Sequence, residues 1–337
     1  AHMASIPRVV SEDQLSAKTL LKHLTRIHQG KVRDTYALPE NSDKLLVVAT
    51  DRLSIFDFVL GRLVHEKGEI LTAMTVFWLR QLFADLPHHL IACGPEMDEY
   101  LPSPLRSLPH LQKRGLVVKK LNMLPIECIA RGYLTGTGLK AYKQTGSVCG
   151  HMLPEGLHDG SKLSPALFTP TTKPTHGHDE HVTAESVLLE FGDMPSRITH
   201  QVYERASAFA LECGIIIADM KIEIGIDGTL ADEIITPDSC RFWDEDAYRI
   251  AITKRTSPTG FDKEPVRQAG KKAMIDGKLV DLSSLDTTSA NAELASRWNI
   301  PPEVIDQTVR RYQTIFNRLT GMSLTAFQDR IMEIDEV

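Results

Sequence analysis

The sequence predicts an α+β chain, and three features carry that prediction. Strand-like runs follow one another as hairpin candidates instead of alternating strictly with helices. Two long segments place apolar residues at helical spacing, and one segment near residue 220 alternates polar and apolar residues with period two. The 337 residues are 42% hydrophobic and 24% charged, which excludes a disordered chain and provides enough material for a sizeable core. A formal charge of -6 shows no basic excess of the kind that nucleic acid selects, so no nucleic-acid partner is expected. Apolar runs fall short of the roughly 18–20 residues that span a bilayer, and no secretory signal is seen, so no membrane partner is expected. Five widely spaced cysteines without a CxxC pair argue against a disulfide framework and a cysteine zinc site, and a cytoplasmic location is the expectation. Ala1-His2-Met3 reads as the remnant of a cleaved tag.

Taken in order, the pattern predicts a helix over 12–29, strands over 32–38 and 44–50, and a helix over 68–84. The stretch 87–109 holds five prolines and only short apolar pieces, which places a lobe boundary near its end. Strands are expected over 115–121 and 125–133, joined by Asn122-Met123-Leu124, and then a short helix over 139–144. Residues 150–182, rich in Gly, Pro, His and Thr, read as a long loop, a length that is uncommon without a function. A helix is predicted over 194–213, with Pro195 in its first turn and Gly214 stopping it. Another opens at Pro301-Pro302, carries Ile305, Val309, Tyr312, Phe316 and Leu319 on one stripe, and ends at Gly321.

The segment 215–243 is the most informative. Period-two alternation puts Asp219, Lys221 and Glu223 on one strand face and Met220, Ile222 and Ile224 on the other. Asp227-Gly228 has the composition of a two-residue hairpin turn. Counting back from that turn sets Glu223 opposite Asp232, and directly opposed carboxylates need a compensating charge. Hard oxygen ligands suit Mg²⁺, while a solvated acidic sheet face is the alternative. Lys221, flanked by two acids, stays charged and suits a phosphate or carboxylate.

Other segments are ambiguous when taken singly. Gly30-Lys31-Val32-Arg33 lacks P-loop spacing; it is either a helix stop before a solvated strand or a pair of cations laid over phosphates. Arg131 before Thr135-Gly136-Thr137-Gly138 is either an anion site at a helix N-terminus or a plain strand, loop and cap. His176-Gly177-His178-Asp179-Glu180-His181 does not have zinc spacing.

In register, seven segments resemble one family, the SAICAR synthetases: GKVRDTY (30–36), TDRLSIFD (50–57), LPIECIARGYLTGTG (124–138), FTPTTKPTHGHDE (168–180), IIADMKIEIG (216–225), DEIITPDSCRFWD (232–244) and FDKEPVR (261–267). The resemblance spans about residues 25–270 and is to the longer branch of the family. It implies a two-lobed, ATP-grasp-like α+β fold with a helical C-terminal extension, divided as 1–112, 113–260 and 261–337. It also implies ATP-dependent joining of the carboxylate of 5-amino-1-(5-phosphoribosyl)imidazole-4-carboxylate (CAIR) to L-aspartate through an acyl phosphate, with Mg²⁺ present. A monomer is expected, with a homodimer as the alternative.

Carried over by motif, Gly30, Lys31, Val32 and Arg33 resemble the phosphate-covering loop, and Lys119, Leu121, Met123 and Glu127 the nucleotide hinge. Glu223 and Asp232 resemble the metal ligands, and Lys221, Asp219 and Arg241 the catalytic groups. Ser54, Asp57, Arg131, Thr137, Asp238, Lys263 and Arg267 resemble the substrate pocket. The chain departs from the family pattern at Ile55 (usually Ala), Thr137 (usually Ser) and Cys240 (usually Ser), and its His-rich segment is one residue short.

Overall fold

A computed structural model describes residues 12–173 and 182–335 of the chain; the His176–His181 motif lies outside them. Helix α1 (Glu12–His23) ends earlier than the sequence pattern predicts. The next residues are drawn into β1 (Arg26–Gln29), which pairs with β2 (Arg33–Ala37), and β2 pairs in turn with β3 (Lys44–Ala49). A tight hairpin, β4 (Arg52–Ile55) and β5 (Phe58–Leu63), leads to α2 (Lys67–Phe77), which unwinds into one wide turn over Trp78–Leu82. The proline-rich stretch is less irregular than its composition implies. It contributes β6 (Leu90–Cys93), short 3₁₀ turns and α3 (Pro109–Arg114), after which β7 (Gly115–Lys119) pairs with both β3 and β6. The boundary expected at residue 112 therefore falls ahead of a strand that belongs to the N-terminal sheet, whose order is β1-β2-β3-β7-β6.

Period two divides the labour of that sheet. Tyr36, Leu46, Val48 and Val117 bury against Leu20, Leu24, Leu105 and Leu111 on one face. Leu45, Val47, Leu116 and Val118 look the other way and roof a cleft.

The second sheet starts with β8 (Ile126–Tyr133), followed by α4 (Gly136–Thr145). The predicted long loop carries three strands among its described residues: β10 (His151–Met152) pairs with β9 (Ser147–Val148), and β11 (Lys162–Phe168) and β12 (Thr171–Thr172) both pair with β8. Composition hid β11 and β12 because their partner β8 lies far away in sequence. Helices α5 (Ala184–Phe191) and α6 (Met194–Glu212) precede β13 (Ile215–Ile224), the central strand, which pairs with β8, β14 (Leu230–Ala231) and β15 (Cys240–Asp244) before α7 (Glu245–Lys254). The predicted stripe of α6 is seen: Val202, Ala206 and Ala210 are buried, and Ile198, Phe209 and Cys213 pack against the same core.

The hairpin register corrects the sequence count by one residue. Glu223 faces Ala231, not Asp232, because Gly225 N donates to Thr229 O and the loop holds three residues, with Gly228 at φ 89°. Past it, α8 (Glu264–Gly270), a hairpin of β16 (Ala273–Ile275) and β17 (Lys278–Val280), α9 (Ser289–Ser296), α10 (Pro302–Thr320) and α11 (Leu324–Arg330) form the C-terminal region. The predicted stripe of α10 serves two cores. Ile305 and Val309 pack with the β4–β5 hairpin and α8, whereas Tyr312, Phe316 and Leu319 are buried in the main core.

Candidate active site

A cavity of about 680 Å³ lies under the N-terminal sheet and opens beside a second of about 290 Å³. Five residues line both: Asp57, Glu127, Lys221, Asp238 and Arg267. The larger cavity also holds Gly30, Lys31, Val32, Arg33, Ser54, Lys119, Leu121, Met123, Glu223, Asp232 and Lys263. The smaller holds Arg131, Thr137, Asp219 and Arg241. Every candidate residue read from the sequence thus lines one cavity or the other.

The loop 30–33 is fixed from beneath. Gly30 N donates to Arg33 O at 2.7 Å, closing the turn, and the Thr50 hydroxyl donates to Val32 O. Arg52 donates to the carbonyls of Lys31 and Gly30, both at 3.1 Å, and to both oxygens of buried Asp34. Its neighbour Asp51 grips Arg114 at 2.8 and 3.0 Å and accepts from Gly68 N. The Asp-Arg pair of the 50–57 motif is therefore scaffolding, with ligand contact left to the loop it supports.

Two residues later the chain makes a costly turn. Ile55 pairs with Phe58, so Phe56 and Asp57 form a two-residue loop with φ of 50° and 67°, a left-handed geometry that costs non-glycine residues about 1–3 kcal/mol each. The strain sets Asp57 between the cavities, in contact with the Lys31 ammonium.

Although the register slips by one, Glu223 and Asp232 still meet. Asp232 has φ 56°, and this left-handed kink swings its carboxyl back toward Glu223. Burial, then the Asp232 charge and a hydrogen bond with it, push the Glu223 carboxyl up to about 8, while Lys173 opposes the rise. Burial would raise Asp232 as well, but Arg33, the Glu223 hydrogen bond, Lys221 and His89 bring it down to about 2. One proton thus sits between two carboxylates. Arg33 spans Asp232 at 2.8 Å and Glu233 at 2.7 Å, so the cation expected over phosphates is anchored to the acidic pair. Burial acts against the Lys221 ammonium, yet Glu127, Asp232, Glu233 and Glu223 hold it charged.

In the smaller cavity the register is decisive. Asp219 on β13 sits between Arg131 on β8 and Arg241 on β15 at the same level, and its Oδ2 accepts from Arg131 at 3.5 Å and Arg241 at 2.6 Å. Arg131 also donates to Thr169 and to the Thr137 hydroxyl at 3.0 Å. The glycines of 136–138 have a steric reason: a Cβ on Gly136 would lie 2.5 Å from the Arg241 guanidinium, and one on Gly138 would lie 3.0 Å from Arg131. Lys263 and Arg267 form a separate cationic group around Asp238. Burial, with Arg267, Lys67 and Lys221 adding to it, lowers Lys263 to about 7 against the pull of Asp238.

Several cavity or supporting residues lie outside the candidates that the motifs supply. Glu233 stands beside Asp232; His89 is buried and depressed to about 4, chiefly by burial; Lys67 and Tyr312 bind Asp238. A hydroxyl on the buried stripe of α10 was the available clue, since a buried tyrosine needs a partner. Of the departures, Ile55 fits because Gly270 opposite has no side chain, and a Cβ there would lie 2.5 Å from it. Thr137 keeps its contact with Arg131, and Cys240 is buried in the main core while bordering the smaller cavity.

An acidic pair, a charged lysine at a junction and an arginine-lined annex define a class of enzyme that acts on anionic, phosphorylated small molecules. The SAICAR synthetase family model matches residues 26–280. A phosphoribosylaminoimidazole-succinocarboxamide synthase of Bordetella petrii is 42% identical over 310 residues, covering 89% of this chain and 97% of its own. Another, from Thioalkalivibrio sulfidiphilus, is 41% identical over 321 residues, covering 92% and 100%. Among solved structures, the SAICAR synthase of Saccharomyces cerevisiae complexed with SAICAR aligns with a TM-score of 0.73 at 32% identity, over 89% of this chain and 96% of its own. A type-2 SAICAR synthetase in complex with ADP shares the fold, with a TM-score of 0.58 at 21% identity over 88% and 98%. The chain belongs to the SAICAR synthetase family. It is accordingly an ATP-dependent carbon–nitrogen ligase of purine biosynthesis, joining CAIR to L-aspartate.

Proposed function

We propose that this ligation takes place at the junction of the two cavities, with the nucleotide in the larger and the ribonucleotide reaching in from the smaller. The observation that carries the reading is Lys221: it borders both cavities, next to the acidic pair on one side and the Asp219-held arginines on the other. In this reading the nucleotide lies against the hinge 119–123 and Glu127, under the loop 30–33, in an ATP-grasp-like arrangement of two lobes. The N-terminal lobe then runs to Lys119, the central one to about residue 260, and the C-terminal helices pack on both. A monomer suffices for this arrangement, because the junction and both cavities are lined by one chain.

The donor set fits Mg²⁺. Glu223 and Asp232 are hard oxygen ligands that share a proton where a dication would replace it. No group of three or more His, Cys, Asp or Glu is disposed for a metal among the described residues, so phosphate and water oxygens would complete the set. Bound there, the ion would offset charge on the transferring phosphoryl group. Lys221 would hold the reacting carboxylate and γ-phosphate together. Arg131, Arg241 and Thr137 would grip the ribonucleotide's phosphate, while Asp219 holds both guanidiniums in place. Ser54, Asp57, Asp238, Lys263 and Arg267 would receive the remaining substrate groups.

The chemistry balances in two steps. A carboxylate oxygen of CAIR attacks the γ-phosphorus and ADP leaves; the aspartate nitrogen then attacks the acyl carbon, losing a proton, and phosphate leaves with the former carboxylate oxygen. Activation is needed because a carboxylate offers no leaving group. The test is ADP release measured with ATP and CAIR, with and without L-aspartate. Steady turnover that requires aspartate supports the ligase, whereas a kinase would release ADP at the same rate without it.

A further inference from the structure

Asp238 has an unusual setting for a residue that borders two polar cavities. Both its oxygens are engaged from behind by side chains that are themselves fully buried. Lys67 Nζ donates to Oδ2 at 2.5 Å, and the Tyr312 hydroxyl donates to Oδ1 at 2.5 Å. Lys67 is the first residue of α2, and Tyr312 lies midway along α10, 74 residues beyond Asp238. Neither lines either of the two cavities, yet Asp238 borders both.

The two donors stand on rigid footings. Ile70, Leu71, Ala73 and Met74 bury the rest of α2 in the main core, and Ile315, Phe316 and Leu319 bury the same side of α10 there. Helix α10 is tied down at further points: Gln313 donates to Glu66 at 2.7 Å, and Arg318 binds Asp244 at 3.0 Å and the carbonyl of Gly214 at 3.1 Å. Asp238 itself sits in a closed turn, with Ser239 N and Cys240 N both donating to Thr236 O. A buried ion pair is a poor way to gain stability, since desolvation offsets its attraction and an apolar pair of similar volume does as well. What the arrangement provides is position: charge-assisted bonds to both oxygens fix the carboxylate plane and keep it ionised.

We propose that Lys67 and Tyr312 are positioning residues of the ligation, fixing Asp238 at the junction of the two cavities and making helix α10 part of the active centre. This rests on the reading that ligation occurs at that junction. The C-terminal region is then a working part of the enzyme, in addition to covering the core.

The test compares Tyr312→Phe, Lys67→Gln, Asp238→Asn and the double variant Tyr312→Phe/Asp238→Asn with wild type. Thermal unfolding is measured for each, and initial rates are taken with ATP, CAIR and aspartate varied in turn. Tyr312→Phe removes one hydrogen bond to a charged group, so kcat/KM for CAIR or aspartate should fall about tenfold or more, while KM for ATP stays within twofold. Lys67→Gln should show the same split. In the Asp238→Asn background, Tyr312→Phe should cause little further loss. Leu105→Val, in the separate core on the other face of the N-terminal sheet, should lower the melting temperature and leave the constants unchanged. Wild-type kinetics in Tyr312→Phe, an equal effect on all three substrates, or full additivity in the double variant would overturn the proposal. Absence of aspartate-dependent ADP release in wild type would instead overturn the ligase reading on which it rests.

Discussion

Replacing Glu223 by Gln should make the ligand-free protein more stable while disabling it. With no cation bound, the pair holds one proton, and the Glu223 carboxyl is raised from the usual 4.5 to about 8. The sign follows from linkage: a group raised on folding stabilises fully below its unfolded value, near 4.5, and that contribution is lost as pH climbs through about 8. The displacement corresponds to a ceiling of about 5 kcal/mol at full ionisation. Movement of the two carboxylates apart relieves much of this, and loss of the partly exposed Lys173 pair removes up to about 1 kcal/mol more, leaving about 2 kcal/mol. For a chain of this length that is about 3 °C in Tm. Calorimetry without divalent cations should therefore show Glu223→Gln melting about 3 °C above wild type at pH 8.5, and close to it at pH 5.5, where the wild-type pair is protonated. Saturating Mg²⁺ and ATP should reverse the order, with turnover of the variant down about 10²-fold. A variant less stable than wild type at pH 8.5, or the same difference at both pH values, would refute the reasoning.

Three further outcomes are expected. Arg241→Ala should raise KM for CAIR well beyond any change in KM for ATP, and Gly136→Ala should reproduce the effect, because its Cβ would lie 2.5 Å from the guanidinium and its φ of 58° disfavours a side chain. Arg52→Met should cost about 3 kcal/mol by stranding buried Asp34, and should raise KM for ATP by freeing the loop at Gly30 and Lys31; unchanged ATP kinetics would separate the loop from nucleotide binding. Thiol labelling of the folded enzyme should reach half-buried Cys213 first, with Cys93, Cys128, Cys149 and Cys240 reacting only on unfolding, when the total rises to five.

Local pattern made much of this legible. The stripes of α6 and α10, the alternation of β13 and strands β2, β3 and β7 of the first sheet are periodic signals that tertiary packing reinforces. What was hidden depended on distance or on strained backbone. Strands β6, β11 and β12 have unremarkable compositions and exist because partners 23 to 46 residues away complete their ladders. The Glu223–Asp232 meeting was anticipated by the wrong route. The composition of Asp227-Gly228 suggests a two-residue turn where the loop has three residues, and the left-handed kink at Asp232, which strand periodicity does not reveal, restores the contact. Likewise, the turn at Phe56-Asp57 puts a bulky phenylalanine at positive φ, where composition favours glycine or asparagine. The resemblance located cavity residues through motifs, but not Lys67 and Tyr312, whose role becomes visible only where α2 and α10 pass behind Asp238.

The central claim is that ATP activates the carboxylate of CAIR at the Lys221 junction, before aspartate attacks. The most direct measurement uses CAIR with ¹⁸O in both carboxylate oxygens, ATP and L-aspartate, followed by mass analysis of the released phosphate. An acyl phosphate transfers one labelled oxygen to each phosphate formed. Phosphate without label, in a reaction that yields labelled SAICAR and ADP, would contradict the account.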